Sequence, residues 1–356
     1  MRVALVGPPQ SGKSTLFAAV AEAGGSDVDL SRPDQPHLAV VKVPDERLGW
    51  LSDLENSRKI TPAELEFVDL PGFDLSDEAG RNRARTHWQT MEQADMLVFV
   101  VAGFADPAVP AYRGRVDAAA DVGELMAEVL FADLERVTAR IEKLEAAIRK
   151  PTSHRDEDLR ELELMKRLHE TLEAERPISE AIEHEAESKR VRSFQFLTLK
   201  PTLVVVNCGE DDAADAGPTE LAGLPCTQLA AKIEEEIARL DPAERGEFLG
   251  DLGLSAPARD RLIRACYDRL NLISYLTAGP IESRAWSIPA GTDAVTAAGE
   301  IHTDIARGFI RAEVVAYEDL HSAGDMKAAK AAGKVRLEGK QYVVQDGDVV
   351  LFRFNV

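Results

Sequence analysis

Short apolar runs alternate with helix-like patterns in the first part of the chain, up to about residue 113. The runs are Val3–Val6, Leu38–Val43, Leu65–Leu70 and Met96–Val101. Strands that alternate with helices are typical of a mostly parallel sheet covered by helices, so we predict an α/β fold. The run Leu203–Val206 has the same character but comes about a hundred residues later, which indicates a helical insertion into the α/β domain.

The insertion carries apolar residues at steps of three and four. One series is Leu130, Leu134, Val137, Ile141, Leu144 and Ile148, and a second is Leu159, Leu162, Met165, Leu168 and Leu172. This heptad spacing predicts an antiparallel coiled-coil arm that turns at Pro151-Thr152-Ser153. A dedicated binding arm and an ordinary two-helix packing unit both fit the pattern. Because the turn is short, we expect pairing within one chain and a monomeric protein.

The pattern changes again from Ile273 onward, where short strands are separated by turns. The predicted strands are Arg284–Ile288, Phe309–Val315, Gln341–Val344 and Val349–Phe354, and a helix is predicted over Ala294–Ile305. These elements indicate a separate small α+β domain.

Length and charge narrow the class of protein. At 356 residues the chain is longer than a single core usually supports, so two or three domains are expected. The formal charge of −20 argues against nonspecific coating of nucleic acid, and any RNA contact must use a local basic patch such as Lys189–Arg192. Neither a signal peptide nor a membrane span is evident, and the three cysteines are far apart, so a cytoplasmic protein with reduced thiols and no membrane partner is expected.

One motif points to nucleotide chemistry. Residues Gly7–Ser14 fit G-x-x-x-x-G-K-[ST], and they lie between an apolar run and the helix-like Thr15–Val20. In this motif the glycines let backbone N–H groups face a polyphosphate, the lysine reaches the β and γ phosphates and the serine holds Mg²⁺. The residues expected to contact nucleotide are Pro9, Gln10, Ser11, Gly12, Lys13, Ser14 and Thr15.

Three further candidate segments follow predicted or strand-like runs. Asp69-Leu70-Pro71-Gly72 has the DxxG spacing, so Asp69 is expected to hold Mg²⁺ through water and the Gly72 N–H to face the γ-phosphate, although Pro-Gly also encodes an ordinary turn. Asn207-Cys208-Gly209-Glu210 stands where GTPases recognise the base with Asn-Lys-x-Asp. Because Glu210 replaces that Asp, guanine selectivity should weaken. Ala230-Ala231-Lys232 is similar to the Ser-Ala-Lys loop that lines the base pocket.

Taken together, these segments closely resemble the YchF-type Obg-like ATPases. The resemblance rests on Gly7–Phe17, Asn207–Glu210, the inserted arm and the tail segments Ala298–Asp304, Gly308–Glu313 and Asp346–Val356. It implies a P-loop G-domain in two parts (1–118 and 199–272), a coiled-coil arm (119–198) and a C-terminal TGS domain with a ubiquitin-like β-grasp fold (273–356). It also implies a preference for ATP over GTP and a ribosome or ribosomal RNA as partner.

The chain departs from the family in its catalytic and switch elements. Phe73 fits the family, which has a hydrophobic residue where Ras-like proteins use a water-positioning Gln. Gln10-Ser11 replaces the usual Asn-Val, which leaves dependence on K⁺ uncertain. Switch I lacks the usual threonines, and Ser31 and Asp34 are the remaining guesses for a second Mg²⁺ ligand. Switch II, here Asp74–Arg81, has lost its glycine-rich character.

Two histidines bear on the chemistry. The histidine proposed to act in catalysis in relatives is replaced here by Phe99. His87 could approach the γ-phosphate instead, although a packing role is also open, and His302 is expected to be structural or to lie on a binding surface. The family resemblance with these changes suggests a divergent paralogue.

Four functional hypotheses follow. The first is an ATP-binding, slowly hydrolysing NTPase that regulates translation or a stress response at the ribosome, with Lys13, Asp69 and Gly72 as catalytic groups. The alternatives are a hydrolysis-deficient nucleotide-binding adaptor and a GTPase of the same fold. A small-molecule kinase would need an arginine-rich lid, for which Arg81, Arg83 and Arg85 are a thin substitute.

Overall fold

The computed structural model describes residues 1–23, 28–149, 154–254 and 256–355. The predicted turn at Pro151-Thr152-Ser153 lies outside these residues. The chain forms two compact units, of which the first comprises Met1–Ala39 and Glu66–Ala258 and the second Val40–Leu65 and Arg259–Val356.

The helices and strands are numbered in chain order. Up to the end of the insertion they are β1 (Arg2–Val6), α1 (Lys13–Ala23), β2 (His37–Lys42), α2 (Arg47–Glu55), β3 (Ile60–Thr61), β4 (Glu64–Asp69), α3 (Glu78–Arg85), α4 (Trp88–Gln93), β5 (Met96–Ala102), α5 (Ala118–Ala147), α6 (Arg155–Glu173) and α7 (Glu185–Val191). They continue as β6 (Thr202–Asn207), β7 (Glu220–Leu221), β8 (Leu224–Leu229), α8 (Ala231–Arg239), α9 (Pro242–Asp251), α10 (Ala258–Arg269), β9 (Leu272–Thr277), β10 (Ser283–Pro289), α11 (Ala294–Ile301), α12 (Thr303–Arg307), β11 (Phe309–Ala316), α13 (Tyr317–Ala323), α14 (Met326–Ala331), β12 (Arg336–Glu338) and β13 (Asp348–Phe354).

A mostly parallel sheet has the strand order β2-β4-β1-β5-β6-β8-β7. Strand β1 pairs in parallel with β4 and β5, β5 with β6, and β6 with β8. The central strand β5 is apolar throughout and almost wholly buried, as expected for a strand covered on both faces. The α/β class predicted from the apolar runs is confirmed. Because parallel strands end at one edge of the sheet, the segments after β1, β4 and β6 lie close together.

Two long helices, α5 and α6, occupy the predicted insertion and share an apolar core. Most residues of the predicted seam contribute to this core, including Val137, Leu144, Met165 and Leu168. Leu159 does not, since it is 42% exposed, whereas Leu164 is buried. Helix α6 also packs against the turn Ile178–Ala181, so its buried face is wider than a two-helix seam.

Asp133 of α5 fixes the point where the chain returns from the insertion to the sheet. Its Oδ1 accepts a hydrogen bond from the Leu197 N–H at 2.8 Å. Its Oδ2 accepts from the N–H and the hydroxyl of Thr198 at 2.8 and 2.7 Å. The carboxylate therefore satisfies three donors in a buried site.

Asp133→Ala should destabilise this unit by about 3 kcal/mol or more, because it leaves buried donors unpaired. The measurement is the midpoint of urea unfolding. Glu142→Ala, an exposed acid on the same helix, is the matched control and should leave the midpoint nearly unchanged. Equal midpoints for the two variants would contradict the anchoring role.

The second unit contains a sheet of order β12-β11-β13-β9-β10-β3. The strands predicted at Arg284–Ile288, Phe309–Val315 and Val349–Phe354 are confirmed as parts of β10, β11 and β13. The strand predicted at Gln341–Val344 is wrong. In that segment Val343 forms a single bridge with Asp293, and the Tyr342 hydroxyl donates to Asp348 at 2.7 Å, so side-chain bonds replace a strand ladder.

The helix predicted over Ala294–Ile305 divides at His302 into α11 and α12. His302 has an extended backbone, with φ −166° and ψ 140°, and its Nδ1 accepts a hydrogen bond from the Asp304 N–H at 3.1 Å. The imidazole thus caps the N-terminus of α12, which accounts for this histidine without a catalytic role.

Candidate functional site

The loop between β1 and α1 requires glycine at both ends. A Cβ on Gly7 would lie 2.2 Å from the Val100 carbonyl oxygen, and one on Gly12 would lie 2.0 Å from Asn207 Nδ2. Gly12 also has φ +80°, a conformation that residues with a Cβ rarely adopt. Gln10, with φ 62°, takes the same left-handed region without being glycine. The loop is therefore a tight turn held against β5 and β6.

Lys13 and Ser14 both bind the carboxylate at the end of β4. Lys13 Nζ donates to Asp69 Oδ1 and to the Leu70 carbonyl, and Ser14 Oγ donates to Asp69 Oδ2 at 2.7 Å. Lys13 and Asp69 are 5% and 2% exposed. Burial lowers the pKa of Lys13, and the charge and hydrogen bond of Asp69 oppose this effect. The structure thus brings together three predicted residues that are up to 56 positions apart.

This donor set fits a magnesium ion. The Ser14 hydroxyl and Asp69 carboxylate are hard oxygen donors, the kind that Mg²⁺ prefers. No group of three or more His, Cys, Asp or Glu side chains suited to a metal occurs within the described ranges. An ion held by Ser14 and Asp69 would therefore take further ligands from phosphate and water, as is usual for Mg²⁺. The nearby Ser11 hydroxyl is buried without a hydrogen-bond partner, which leaves one polar atom of the loop unsatisfied.

The DxxG segment lies directly against the phosphate loop. A Cβ on Gly72 would come within 3.0 Å of Pro9 Cα, and the Phe73 N–H donates to the Gly7 carbonyl at 2.9 Å. A cavity of about 370 Å³ lies here, lined by Pro8, Pro9, Gln10, Ser11, Gly12, Lys13, Ser14, Thr15, Pro33, Pro71 and Gly72. Its size and its convergent backbone groups suit a polyphosphate. Of the switch I segment Leu30–Asp34, Pro33 alone lines this cavity, and Ser31 and Asp34 are exposed.

The residue after DxxG has no polar side chain that could position a water molecule. Phe73 is 2% exposed and belongs to the core of this unit, so it offers nothing polar to a γ-phosphate. His87, at the start of α4, stacks on Phe73 with a centroid distance of 6.2 Å. Burial lowers the pKa of His87, and the charge of Lys13 lowers it further, which favours a neutral imidazole near pH 7. Phe99 lies wholly buried in β5.

Asn207 at the end of β6 joins the phosphate loop to α8. Its Nδ2 donates to the Ser11 carbonyl at 3.0 Å, and its Oδ1 accepts from the Ala231 N–H at 2.9 Å. Both polar atoms of this buried side chain are therefore used within the protein. The geometry makes Asn207 a brace between the β1–α1 loop and the start of α8.

Beyond Asn207 lies a larger cavity of about 650 Å³. Its lining includes Gln10, Gly12, Thr15, Phe104, Asp106, Asn207, Glu210, Ala231 and Lys232. At its rim Lys232 Nζ donates to Glu210 Oε1 at 2.6 Å, and both side chains are more than half exposed. One oxygen of the exposed Glu210 carboxylate is thus engaged by Lys232.

Phe104 and the residues next to it were not predicted as site residues from the sequence. They follow β5 directly and supply the apolar wall of the 650 Å³ cavity. The signal was available, because ligands bind beyond the carboxyl ends of parallel strands and Phe104 comes two residues after one. No helix in the described parts of the chain is long and apolar enough to cross a membrane.

Two family models match the chain. The C-terminal model of YchF GTPases, described as a protein of unknown function, matches residues 272–355. A model described as a 50S ribosome-binding GTPase matches residues 2–132. The first match covers the tail whose motifs carried the resemblance, and the second covers the phosphate loop and DxxG.

Full-length relatives agree with these matches. The chain is 40% identical to the ribosome-binding ATPase YchF of Bacillus subtilis, over 99% of this chain and 98% of that protein. It is 32% identical to Obg-like ATPase 1 of rice, over 100% of this chain and 92% of that protein. The solved structure of the Schizosaccharomyces pombe YchF GTPase superposes with a TM-score of 0.85 at 26% identity, covering 99% of this chain and 97% of that one. The chain belongs to the YchF family.

Proposed function

We propose that this chain binds ATP with Mg²⁺ and hydrolyses it slowly, and that its nucleotide state governs association with ribosomes. The observation that carries the proposal is the assembly of Lys13, Ser14 and Asp69 beside the phosphate-sized cavity. The names of the relatives, ribosome-binding ATPase and Obg-like ATPase, support the nucleotide and the partner.

Each residue has a physical task in this proposal. Backbone N–H groups of the phosphate loop and the N-terminus of α1 bind phosphate oxygens. Lys13 exchanges its bonds to Asp69 and the Leu70 carbonyl for bonds to phosphate oxygens. Mg²⁺, when bound, neutralises phosphate charge, and Ser14 and Asp69 hold it. The Gly72 N–H faces the γ-phosphate.

Slow turnover follows from the residue after DxxG. Ras-like proteins orient the attacking water with a glutamine, and here that position is the buried Phe73. The same observation favours a second candidate, an adaptor that binds nucleotide without hydrolysing it. A partner that supplies the missing group would restore turnover.

Single-turnover hydrolysis of ATP and GTP, with and without large ribosomal subunits, separates these functions. Lys13→Ala protein is the blank. ATP-selective turnover above the blank supports the enzyme, whereas tight binding without turnover supports the adaptor. GTP-selective turnover would favour a GTPase of the same fold. Repeating the assay with Na⁺ in place of K⁺ tests whether Gln10-Ser11 has removed a potassium requirement.

Glu210→Asp should reduce the preference for ATP over GTP by about tenfold, because the shorter side chain gives up its ion pair with Lys232 and leaves a carboxylate free for the guanine edge. The measurement is the ratio of dissociation constants from competition titrations. Glu235→Asp is the matched control, since Glu235 lines the same cavity but pairs with Arg239. An unchanged ratio for Glu210→Asp would remove Glu210 from base selection.

A further inference from the structure

A segment that follows β5 holds the backbone of switch II. The Tyr112 hydroxyl accepts a hydrogen bond from the Leu75 N–H at 3.0 Å, and Arg113 Nη2 donates to the Leu75 carbonyl at 3.0 Å. Both polar backbone groups of Leu75 are therefore bound by neighbouring side chains of one turn. The Leu75 side chain is buried in the core of this unit.

The same two side chains are tied to the inserted helix α5. The Tyr112 hydroxyl donates to Glu124 Oε2 at 3.1 Å, and Arg113 Nε donates to the same oxygen at 3.0 Å. Arg115 adds a bond to Asp121 at 2.8 Å. Burial raises the pKa of Tyr112, so its hydroxyl stays protonated and can donate while it accepts from Leu75. Switch II and the inserted helix thus share one network of hydrogen bonds.

The turn that presents these side chains is strained. Arg113 has φ 52° and ψ 24°, in the left-handed region that disfavours any residue with a Cβ. Such a conformation persists only where surrounding contacts fix it. The contacts here are the bonds of Arg113 to Leu75 and Glu124 and its position over the Tyr112 ring at 5.6 Å. The strain is therefore balanced by the contacts that hold switch II.

The held peptide is three residues beyond Gly72, whose N–H is assigned to the γ-phosphate. On the near side, the Phe73 N–H is fixed to the Gly7 carbonyl. On the far side, Leu75 is fixed by Tyr112 and Arg113. Both anchors lie just beyond Gly72, so the peptide that follows Gly72 has little freedom and the Gly72 N–H keeps its place without reorganisation.

We propose that Tyr112 and Arg113 are positioning residues for nucleotide hydrolysis, and that they connect switch II through Glu124 to the inserted helical pair. The proposal rests on the proposed function of the phosphate site. Neither residue needs to touch the nucleotide. We call the bonds of Tyr112 and Arg113 to Leu75 the clamp. A movement of α5 displaces Glu124 and, through Tyr112 and Arg113, the clamp. A partner bound to the insertion can thus influence hydrolysis.

Tyr112→Phe tests the clamp with the ring retained. We expect the single-turnover rate to fall about tenfold while the dissociation constant for ATP changes less than twofold, since the lost bond acts on switch II and not on the nucleotide. Tyr342→Phe in the second unit is the matched control. It also loses one hydroxyl, which accepts a hydrogen bond from Arg336 and donates one to Asp348. Equal rates for Tyr112→Phe and Tyr342→Phe would overturn the positioning role.

Amide hydrogen exchange decides the clamp independently of turnover. Tyr112→Phe should accelerate exchange of the Leu75 amide about tenfold and that of the Phe73 amide less, because Phe73 keeps its own bond to Gly7. Unchanged protection of Leu75 would overturn the clamp even in a protein without turnover. If the wild type does not hydrolyse nucleotide but Leu75 exchanges faster in Tyr112→Phe, the result counts against the proposed function and not against the clamp.

Arg113 variants test the second half of the clamp. Arg113→Gly removes the side chain but suits the positive φ, so a slower turnover in this variant reports the lost contacts and not backbone strain. Arg113→Lys keeps the charge and should restore part of the rate, because one donor can still reach Leu75 or Glu124 but not both. A wild-type rate in Arg113→Gly would exclude Arg113 from positioning.

Discussion

Lys13→Ala is expected to weaken ATP binding by at least about a hundredfold and to abolish measurable turnover. Lys13 is the cation of the phosphate cavity, and a charge-assisted bond to phosphate in a buried site contributes roughly 3 kcal/mol, which is a factor of about a hundred. The measurements are ATP titration and single-turnover hydrolysis.

The same variant should also be less stable than the wild type. Without Lys13, the buried Asp69 carboxylate keeps only the Ser14 hydroxyl, so the free energy of unfolding should fall as well. Lys189→Ala, at a lysine that is 72% exposed, is the control for the loss of a positive charge and should change neither quantity. Titrations of Lys13→Ala that match the wild type would contradict the phosphate-loop assignment.

Gly12→Ala is expected to reduce ATP affinity by a comparable factor for a steric reason. The new Cβ would lie 2.0 Å from Asn207 Nδ2, at a φ of +80°. Asn207 must then move, and it releases the Ser11 carbonyl and the Ala231 N–H that it joins. One methyl group therefore disturbs both the phosphate loop and the start of α8, and titration with ATP measures the loss.

Gly123→Ala is the matched control for this substitution. Gly123 is exposed in α5, and an added Cβ meets no atom within 4 Å. Alanine should stabilise that helix by about 0.5–1 kcal/mol, since it lowers the entropy lost on folding. Alanine should therefore weaken ATP binding at Gly12 but stabilise the helix at Gly123. Retained affinity in Gly12→Ala would mean that Asn207 can leave its place at little cost.

The family resemblance and the local elements were within reach of the sequence. The apolar run of β5 and the phosphate loop are contiguous segments, so their residue types report their structure directly. The strand predicted at Gln341–Val344 failed because an apolar pair beside a tyrosine fits either a strand or a bonded turn. There the bond from Tyr342 to Asp348 favours the turn, and it depends on an aspartate outside the segment.

The site was predicted only in part for the same reason. Lys13, Ser14 and Asp69 were placed by motif and spacing, and the structure brings them within bonding distance. The brace that Asn207 forms with Ser11 was not predicted, although the residue was named for another role. Phe104 had only its position after β5 as a signal, and the contacts of Tyr112 and Arg113 with Leu75 belong to no motif, because they depend on which residues meet in space.

Local patterns were enough to predict the α/β fold, the phosphate loop and the family of this protein, since each depends on residues close together in the chain. The remaining features depend on contacts between distant segments. It set Asn207 against a loop 196 residues away, and Tyr112 and Arg113 against Leu75. It also added β3 to the edge of β10. Such contacts form only when the chain closes long loops, and their energy depends on geometry that no local pattern encodes.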